Sequence, residues 1–452
     1  MYTRIAQHFV QTLSKALFVT TTIESNSNSW TLTAIGQTAG VSSAIQVLGD
    51  STGDGANEWP QIIAQRIADD NSYLTVVMRK FSAATQEYQV PVVLQTGSSG
   101  ERFLDFSTGT YGRVMPIEES QHLAGVIDIR VKMRMSDWTP AVDNTILGKS
   151  EGVDSHGWYV FINTSGQLSF AYSVDGSNVI SMNVATATGF ADGQDGWCRW
   201  VWTPDTGGGN KTLSTYKSID GVTWTQLGIT TTSAGAVVLF NNATTPYSCG
   251  GTYGESAPPQ VLRIYEVEIR DGLNGPIMAP LLPDLWSQFS SASAYSIGAP
   301  ILTIVNGSVS GAALSYLSNA NIVKKMTPDF GQEVSFLSCS HNDGLLYGGD
   351  YTSAYRAWIA AIKARLPGSA IVALTQNPQT DAAPYHDAHA ARRPNIIAAA
   401  KSAGSDAIDI AASFLAVVAW ESSLMTDNVH PNSSGQSLWA DRVEQLLYAH
   451  ST

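Results

Sequence analysis

Cysteine is scarce in this chain: Cys198, Cys249 and Cys339 are the only three in 452 residues. Three thiols cannot make a disulfide framework. No Cys-x-x-Cys or Cys/His spacing of a metal site occurs; Cys198 and Cys249 could pair within one domain, but isolated buried thiols are expected. Charge is also sparse, at 14% of residues, and its balance is acidic, with a formal net charge of −13. That sign disfavours nonspecific binding to nucleic acid and adhesion to anionic membranes. A long apolar run is missing too. The stretch 1–22 is helix-compatible, but Arg4, Gln7, His8, Gln11 and Lys15 interrupt it. It is too polar for a signal-peptide core or a membrane span, so no membrane insertion is expected.

What is present is enough apolar residue, 44%, to build cores, together with abundant Gly, Ser, Thr and Ala. The length exceeds one ordinary core, so two or three domains are expected. Residues 1–40 read as an N-terminal extension. At 45–49 an apolar run with β-propensity stops at Gly49, and Asp50-Ser51-Thr52-Gly53-Asp54-Gly55 follows. A helix is expected over about 57–68 and a strand over 74–78. From about residue 100 to 280 strand signals dominate. Over 126–135, Ile127, Ile129, Val131, Met133 and Met135 alternate with Asp128, Arg130, Lys132 and Arg134, the pattern of a strand with one wet face. Asn163-Thr164-Ser165-Gly166 and Ile219-Asp220-Gly221 mark hairpins, and 261–270 alternates with a slip at Tyr265/Glu266 that reads as a bulge. This region reads as an all-β sandwich or jelly roll. Its tryptophans, Trp138, Trp158, Trp197, Trp200, Trp202 and Trp224, read mainly as core, with stacking on sugars the sharper alternative.

After Pro276, Pro280 and Pro283 the alternation of strand and helix returns. Strands are expected at 300–305, 334–337, 370–375 and 407–410, and helices up to about 323 and over 352–365, 388–403 and 433–448. The reading is therefore one discontinuous α/β domain, 41–99 and 282–452, with a parallel sheet, interrupted by an all-β domain at 100–281. Open α/β sheets carry their sites beyond the carboxyl ends of the strands. Polar clusters stand there: Ser51, the turn at Gly311, Asn342, and Asp427 with His430. A serine hydroxyl needs an adjacent base, which His430 can supply. An aspartate must orient that imidazole, and Asp427 lies near enough in the chain to share its loop. Backbone N–H groups of Ser51 and Gly311 and the side-chain amide of Asn342 would hold the developing oxyanion. Each of these residues also has a plain reading as a turn or capping residue. His341 reads as a loop residue beside the site. His386-Asp387-His389 reads as a solvated helix start rather than a metal site, and neither metal nor cofactor is expected.

Taken together the clusters resemble the four blocks of the SGNH (GDSL-type) serine hydrolases, in order. They are Gly49-Asp50-Ser51; Asn306-Gly307-Ser308-Val309-Ser310-Gly311; Ser340-His341-Asn342-Asp343; and Asp427-Asn428-Val429-His430-Pro431. Ser340 stands where glycine is common, and Thr52 where the name-giving motif has leucine. The resemblance implies a flavodoxin-like three-layer α/β/α domain and a serine esterase with nucleophile Ser51, base His430, orienting Asp427 and an oxyanion hole of Ser51, Gly311 and Asn342. The insert resembles laminin-G-like and concanavalin-like sandwiches, on Asp128-Ile129-Arg130-Val131, Asp220-Gly221-Val222-Thr223-Trp224-Thr225 and the strand ending near Gly272. Such modules occur in bacteriophage structural proteins. That implies carbohydrate or envelope binding. It further implies a place in a virion tail or fibre, with other tail proteins and further copies of the chain as partners, or an extracellular location. The expected substrate is an ester, most simply an O-acetyl group, on a cell-envelope glycan. A lipase acting on envelope lipids and a non-catalytic tail adhesin are the alternatives.

Overall fold

A computed structural model describes residues 42–106, 112–114, 123–150, 155–240, 245, 247–251, 262–278, 286–288, 295–345 and 349–449. The expected extension at 1–40 lies outside the described residues. The α/β domain begins with β1 (Ser43–Gly49), α1 (Trp59–Asp70), β2 (Thr75–Ser82), β3 (Glu87–Tyr88) and β4 (Val92–Gln95). It resumes with β5 (Ile301–Asn306), α2 (Leu314–Leu317), α3 (Ala320–Met326), β6 (Gln332–Ser338), α4 (Gly349–Arg365), β7 (Ala370–Leu374) and α5 (Tyr385–Ser402). It closes with β8 (Asp406–Ile408), α6 (Ile410–Leu415), α7 (Trp420–Ser423) and α8 (Ser433–Ala449).

These strands form one sheet in the order β8-β7-β6-β1-β5-β2-β3, with β4 also paired to β2. From β8 to β2 every pairing is parallel, while β3 and β4 run antiparallel to β2. The expectation of a parallel sheet is thus corrected at one edge. The strands at 87–88 and 92–95 are two and four residues long, too short for a period to stand out in the sequence. The single helix expected after Gly311 is two short ones, because Ser318 and Asn319 interrupt it and Asn319 caps the second.

Strand β1 is buried along its whole length. Its side chains alternate between two cores: Ala44 and Leu48 join Trp358, Ile396 and Leu317, whereas Ile45 and Val47 join Trp59, Phe414 and Trp439. Helices therefore cover both faces of the sheet, which is why a parallel strand reads as a continuous apolar run rather than an alternating one. The chain leaves β1 toward β2, returns to β5 between them, and then crosses to β6 on the far side. That reversal places a topological switch point at the carboxyl end of β1, where Ser51 follows.

The insert is a sandwich of a seven-stranded and an eight-stranded sheet around a single core. Gln167–Ser173 pairs antiparallel with His156–Ile162, the expected hairpin, and the register of Leu262–Asp271 against Ile127–Met135 shifts between Ile264 and Glu266, at the expected bulge. Trp138, Trp158, Trp197, Trp200 and Trp202 are all buried, and the three cysteines are free and buried. The sandwich runs past the expected boundary at 281, because Tyr295–Ile297 pairs with Phe103–Phe106.

The polar face of Ile127–Met135 is partly wet at Lys132 and Arg134 but dry at its other end. Asp128 is 0% and Arg130 8% exposed. That face turns toward the α/β domain, where Arg79 of β2 pairs with Glu266 and Glu268. Glu87 of β3 pairs with Arg270 at 2.9 Å and with Arg130 at 3.5 Å. Arg199 closes the set with Asp128 at 2.7 Å, and Glu268 lies 2.7 Å from Arg270. Arg79, Arg130, Arg199 and Arg270 thus face Glu87, Asp128, Glu266 and Glu268, four cations to four anions. Burial works to raise the Glu268 carboxyl, and Arg270, Arg79 and Arg130 together outweigh it and hold it at about 2. Period two cannot distinguish a face in water from a face against a charged partner, which is why the sequence pattern misled.

Candidate active site

Gly49 ends β1 under close constraint. A Cβ there would lie 2.7 Å from the Ser338 carbonyl oxygen and 3.2 Å from Ser308 Oγ. Only a glycine lets the ends of β1, β5 and β6 come this close. Asp50 is fully buried and turns the chain. Its Oδ1 accepts from Thr52 N at 3.2 Å and Thr52 Oγ1 at 2.9 Å. Ser51 then projects at the rim, partly exposed.

His430 comes from the loop before α8. A bridge between Met425 and Pro431 and a 2.8 Å bond from Thr426 N to the His430 carbonyl close that loop. Asn432 accepts from Ser434 N and Gly435 N, starting α8. Asp427 folds back within the same loop, its Oδ1 accepting from Val429 N at 2.8 Å and His430 N at 2.7 Å. The side chains then fall in line. His430 Nε2 is 3.0 Å from Ser51 Oγ, and His430 Nδ1 is 2.9 Å from Asp427 Oδ2. Partial burial works to raise the Asp427 carboxyl. The two backbone N–H groups and the imidazole outweigh it and hold Asp427 below the usual carboxylate range. Asp427 so ionised fixes an N–H on Nδ1, leaving the Nε2 lone pair for the serine proton.

The two loops are held together through their helices. Trp59 of α1 stacks on Trp439 of α8 with centroids 6.0 Å apart, and Trp59 N donates to Gln436 Oε1 at 2.9 Å. Arg66 adds Asp441 at 2.7 Å and Glu444 at 2.8 Å.

The loops that carry the expected oxyanion donors are in contact. Val309 N bonds to the Gly49 carbonyl at 3.0 Å, placing the β5 loop against the nucleophile's loop. Gly311 takes a φ of +72°, a conformation glycine adopts without strain. Asn342 Nδ2 donates to the Ala312 carbonyl at 3.2 Å, so the third block touches the second directly beside Gly311. Asp343 accepts from Leu314 N at 2.7 Å and from Tyr351 Oη at 3.0 Å, fixing the loop that presents Asn342.

Behind these residues is a buried polar network that the sequence reading missed. Gln376 Nε2 donates to Asp50 Oδ1 at 2.7 Å and Thr52 Oγ1 at 3.1 Å, while its Oε1 accepts from His341 N at 2.7 Å and Ser340 Oγ at 2.9 Å. Asn377 Nδ2 donates to the Val429 carbonyl at 2.8 Å. The Gln376-Asn377 pair after β7 therefore touches the first, third and fourth blocks. The signal that finds it is positional: two amides directly beyond a buried strand, on the edge where the other clusters stand. His389 also belongs here, and its reading as part of a solvated helix start is corrected. It is buried, lies 3.1 Å from Ser340 Oγ and stacks on His341 with centroids 4.5 Å apart. Burial lowers both imidazoles from the usual histidine range, His389 to about 2. Helical periodicity could not show this, since α5 lacks a clear apolar stripe.

Three further polar residues flank Ser51. Glu58 accepts from Gly55 N at 2.6 Å, and its carboxyl is raised to about 7, first by burial and then by Asp54. Lys80 of β2 donates to the Asp54 carbonyl at 3.1 Å. Among the described residues no cluster of three or more His, Cys, Asp or Glu side chains could hold a metal ion, and no helix is long and apolar enough to cross a membrane.

No protein-family model matches this chain, and no curated protein sequence matches it. Solved structures similar to it include a peptidoglycan O-acetylesterase, at a TM-score of 0.39 and 12% identity over 95% of this chain and 99% of that one. They also include a CBM40 domain of Ruminococcus gnavus IT-sialidase bound to α2,3-sialyllactose, at a TM-score of 0.28 and 13% identity over 38% of this chain and 90% of that one. An acetyl xylan esterase from Geobacillus stearothermophilus is similar at a TM-score of 0.28 and 18% identity, over 33% of this chain and 73% of that one. Similarity at this level assigns no activity to this chain.

Proposed function

We propose that the chain is an esterase of the SGNH type that removes acyl groups, most simply O-acetyl, from a glycan. The observation that carries this reading is the alignment of Ser51, His430 and Asp427, with Nε2 to Oγ at 3.0 Å and Nδ1 to Oδ2 at 2.9 Å. Ser51 Oγ attacks the ester carbonyl while its proton passes to His430 Nε2, and Asp427 stabilises the imidazolium that forms. The carbonyl oxygen becomes an anion held by the N–H groups of Ser51 and Gly311 and the amide of Asn342. The C–O bond to the sugar breaks as His430 returns the proton to the departing alkoxide. Water, deprotonated by His430, then attacks the acyl-enzyme, releasing the acid and the free hydroxyl of Ser51. No step calls for a metal or an organic cofactor.

The inserted sandwich is taken to hold the polymer near the site. Its buried charged seam with β2 and β3 supports this, since it fixes the sandwich beside the strand end that flanks Ser51. The same reading makes the chain a bacteriophage tail or fibre component that assembles with other copies, supported by the insert's resemblance to modules of that kind. The test is turnover of p-nitrophenyl acetate. Wild type should exceed Ser51→Ala by about 10³-fold or more. Equal, background-level rates in both would sink the reading.

A further inference from the structure

Beside the nucleophile, on the Gly311 side, lies a cavity of about 220 Å³ lined by Asp54, Lys80, Phe81, Ser308, Val309 and Ser310, among others. It is one step from Ser51. Asn306 Nδ2 bonds the Gly53 carbonyl at 2.7 Å, and Ser310 directly precedes Gly311. Glu58 interacts electrostatically with Asp54, Lys80 and His430 alike, so cavity and imidazole share one neighbourhood.

We propose that this cavity seats the ring of a neutral sugar whose ester Ser51 attacks, with Asp54 and Lys80 reading its hydroxyl groups. This rests on the esterase reading and specifies its substrate. The volume is below the roughly 300–1,000 Å³ of sites that enclose a drug-sized molecule, and fits one ring. The lining offers both signs of hydrogen bonding. Lys80 spends one N–H on the Asp54 carbonyl, leaving two of its three donors. The Asp54 carboxylate accepts from the Ser310 backbone and keeps further lone pairs for hydroxyl donors. Phe81 and Val309 supply an apolar wall for the C–H face of a ring.

Other occupants fit worse. A fatty acyl chain would desolvate an ammonium and a carboxylate without replacing their water hydrogen bonds. A polyanionic sugar would meet Asp54 as a like charge, with Lys80 the single cation of the lining. The turn between β2 and β3 contributes Ala83 to the rim, and Glu87 at the end of that turn is tied to Arg270 of the sandwich at 2.9 Å. The insert thus braces the cavity's outer wall.

The experiment compares Asp54→Asn and Lys80→Met with wild type on methyl 6-O-acetyl-glucoside, its galacto and manno isomers, and p-nitrophenyl acetate. For at least one glycoside, each substitution should lower the ratio of its kcat/KM to that for p-nitrophenyl acetate by about tenfold or more, carried by KM. An unchanged ratio on every glycoside, or a fall in kcat alone, overturns the proposal. A second measurement does not depend on turnover. Saturation-transfer NMR of Ser51→Ala with the deacetylated methyl glycosides should give a sugar signal that is abolished in Ser51→Ala/Asp54→Asn. No signal, or a signal indifferent to Asp54, overturns the cavity as a sugar site. A signal that depends on Asp54, in a protein whose wild type cleaves no ester, would overturn the esterase reading and leave the sugar site standing.

Discussion

Gln376 Nε2 lies 2.7 Å from Asp50 Oδ1, joining the loop after β7 to the loop after β1 across the intervening strand β6. All the groups this amide meets are buried. It works as a two-sided clip. Its nitrogen side holds the turn that carries Ser51, and its oxygen side holds Ser340 and His341, directly before Asn342.

Truncating the clip strands its partners in a dry site. Gln376→Ala should cost about 1–3 kcal/mol in urea unfolding, the cost of an unmade buried hydrogen bond. Because the clip positions Ser51 against Asn342, the loss of activity should appear mainly in kcat on p-nitrophenyl acetate, with KM little moved. A variant that loses stability but keeps kcat would reduce Gln376 to a purely structural role.

Asp427 gives the second prediction. Its side chain is 55% exposed, so water screens it more than a buried partner would be screened. Asp427→Asn keeps an oxygen for the backbone N–H groups of Val429 and His430 but no longer enforces the imidazole tautomer. A buried aspartate in this role is worth about 10⁴ in kcat. A loss nearer 10²–10³ is expected here for the reason of screening. Undiminished turnover would remove Asp427 from the catalytic set.

The third prediction concerns pH. Burial raises the Glu58 carboxyl from the ordinary 4.5 to about 7, so the folded protein holds this proton over a range where the unfolded chain has released it. The contribution to stability is therefore fully present below pH 4.5 and lost as pH rises through 7. Glu58→Gln keeps an acceptor for Gly55 N and removes the titration. Its Tm should fall less than that of wild type between about pH 4 and pH 8, bounds that bracket this window. Parallel Tm-against-pH curves for the two proteins would contradict this.

The seam between the domains supplies a fourth. Arg79 is 1% exposed and faces Glu266 and Glu268. Removing one member of a buried ion set leaves the others uncompensated, at about 3–5 kcal/mol. Arg79→Met should lower the urea midpoint accordingly and let sandwich and α/β domain unfold in separate steps. A single transition at the wild-type midpoint would show that the seam contributes little.

The alternation of strand and helix, the insertion of an all-β segment, and the polar clusters at Ser51, Gly311, Asn342 and His430 are local properties of the chain. Periodicity and turn chemistry reveal them because each depends on near neighbours. Hence β1, β6, α4 and α8 lie close to where the pattern puts them, and the bulge at Tyr265/Glu266 falls in register. The edge strands β3 and β4 are too short for any period to declare itself.

What the sequence alone determined is which residues have the chemistry of a serine nucleophile, a base and an orienting acid, since hydroxyl, imidazole and carboxylate are fixed by residue type. Only the tertiary structure decided that Ser51 and His430, 379 positions apart, meet at 3.0 Å, because sheet order and the packing of Trp59 on Trp439 set that distance. It alone decided that Asp128 and Arg130 face a partner domain rather than water, that Gln376 clips the site from behind, and that Asp54 and Lys80 share a cavity. Burial and pairing of charge depend on what lies across the gap, and period-two alternation in one strand carries no information about its neighbour.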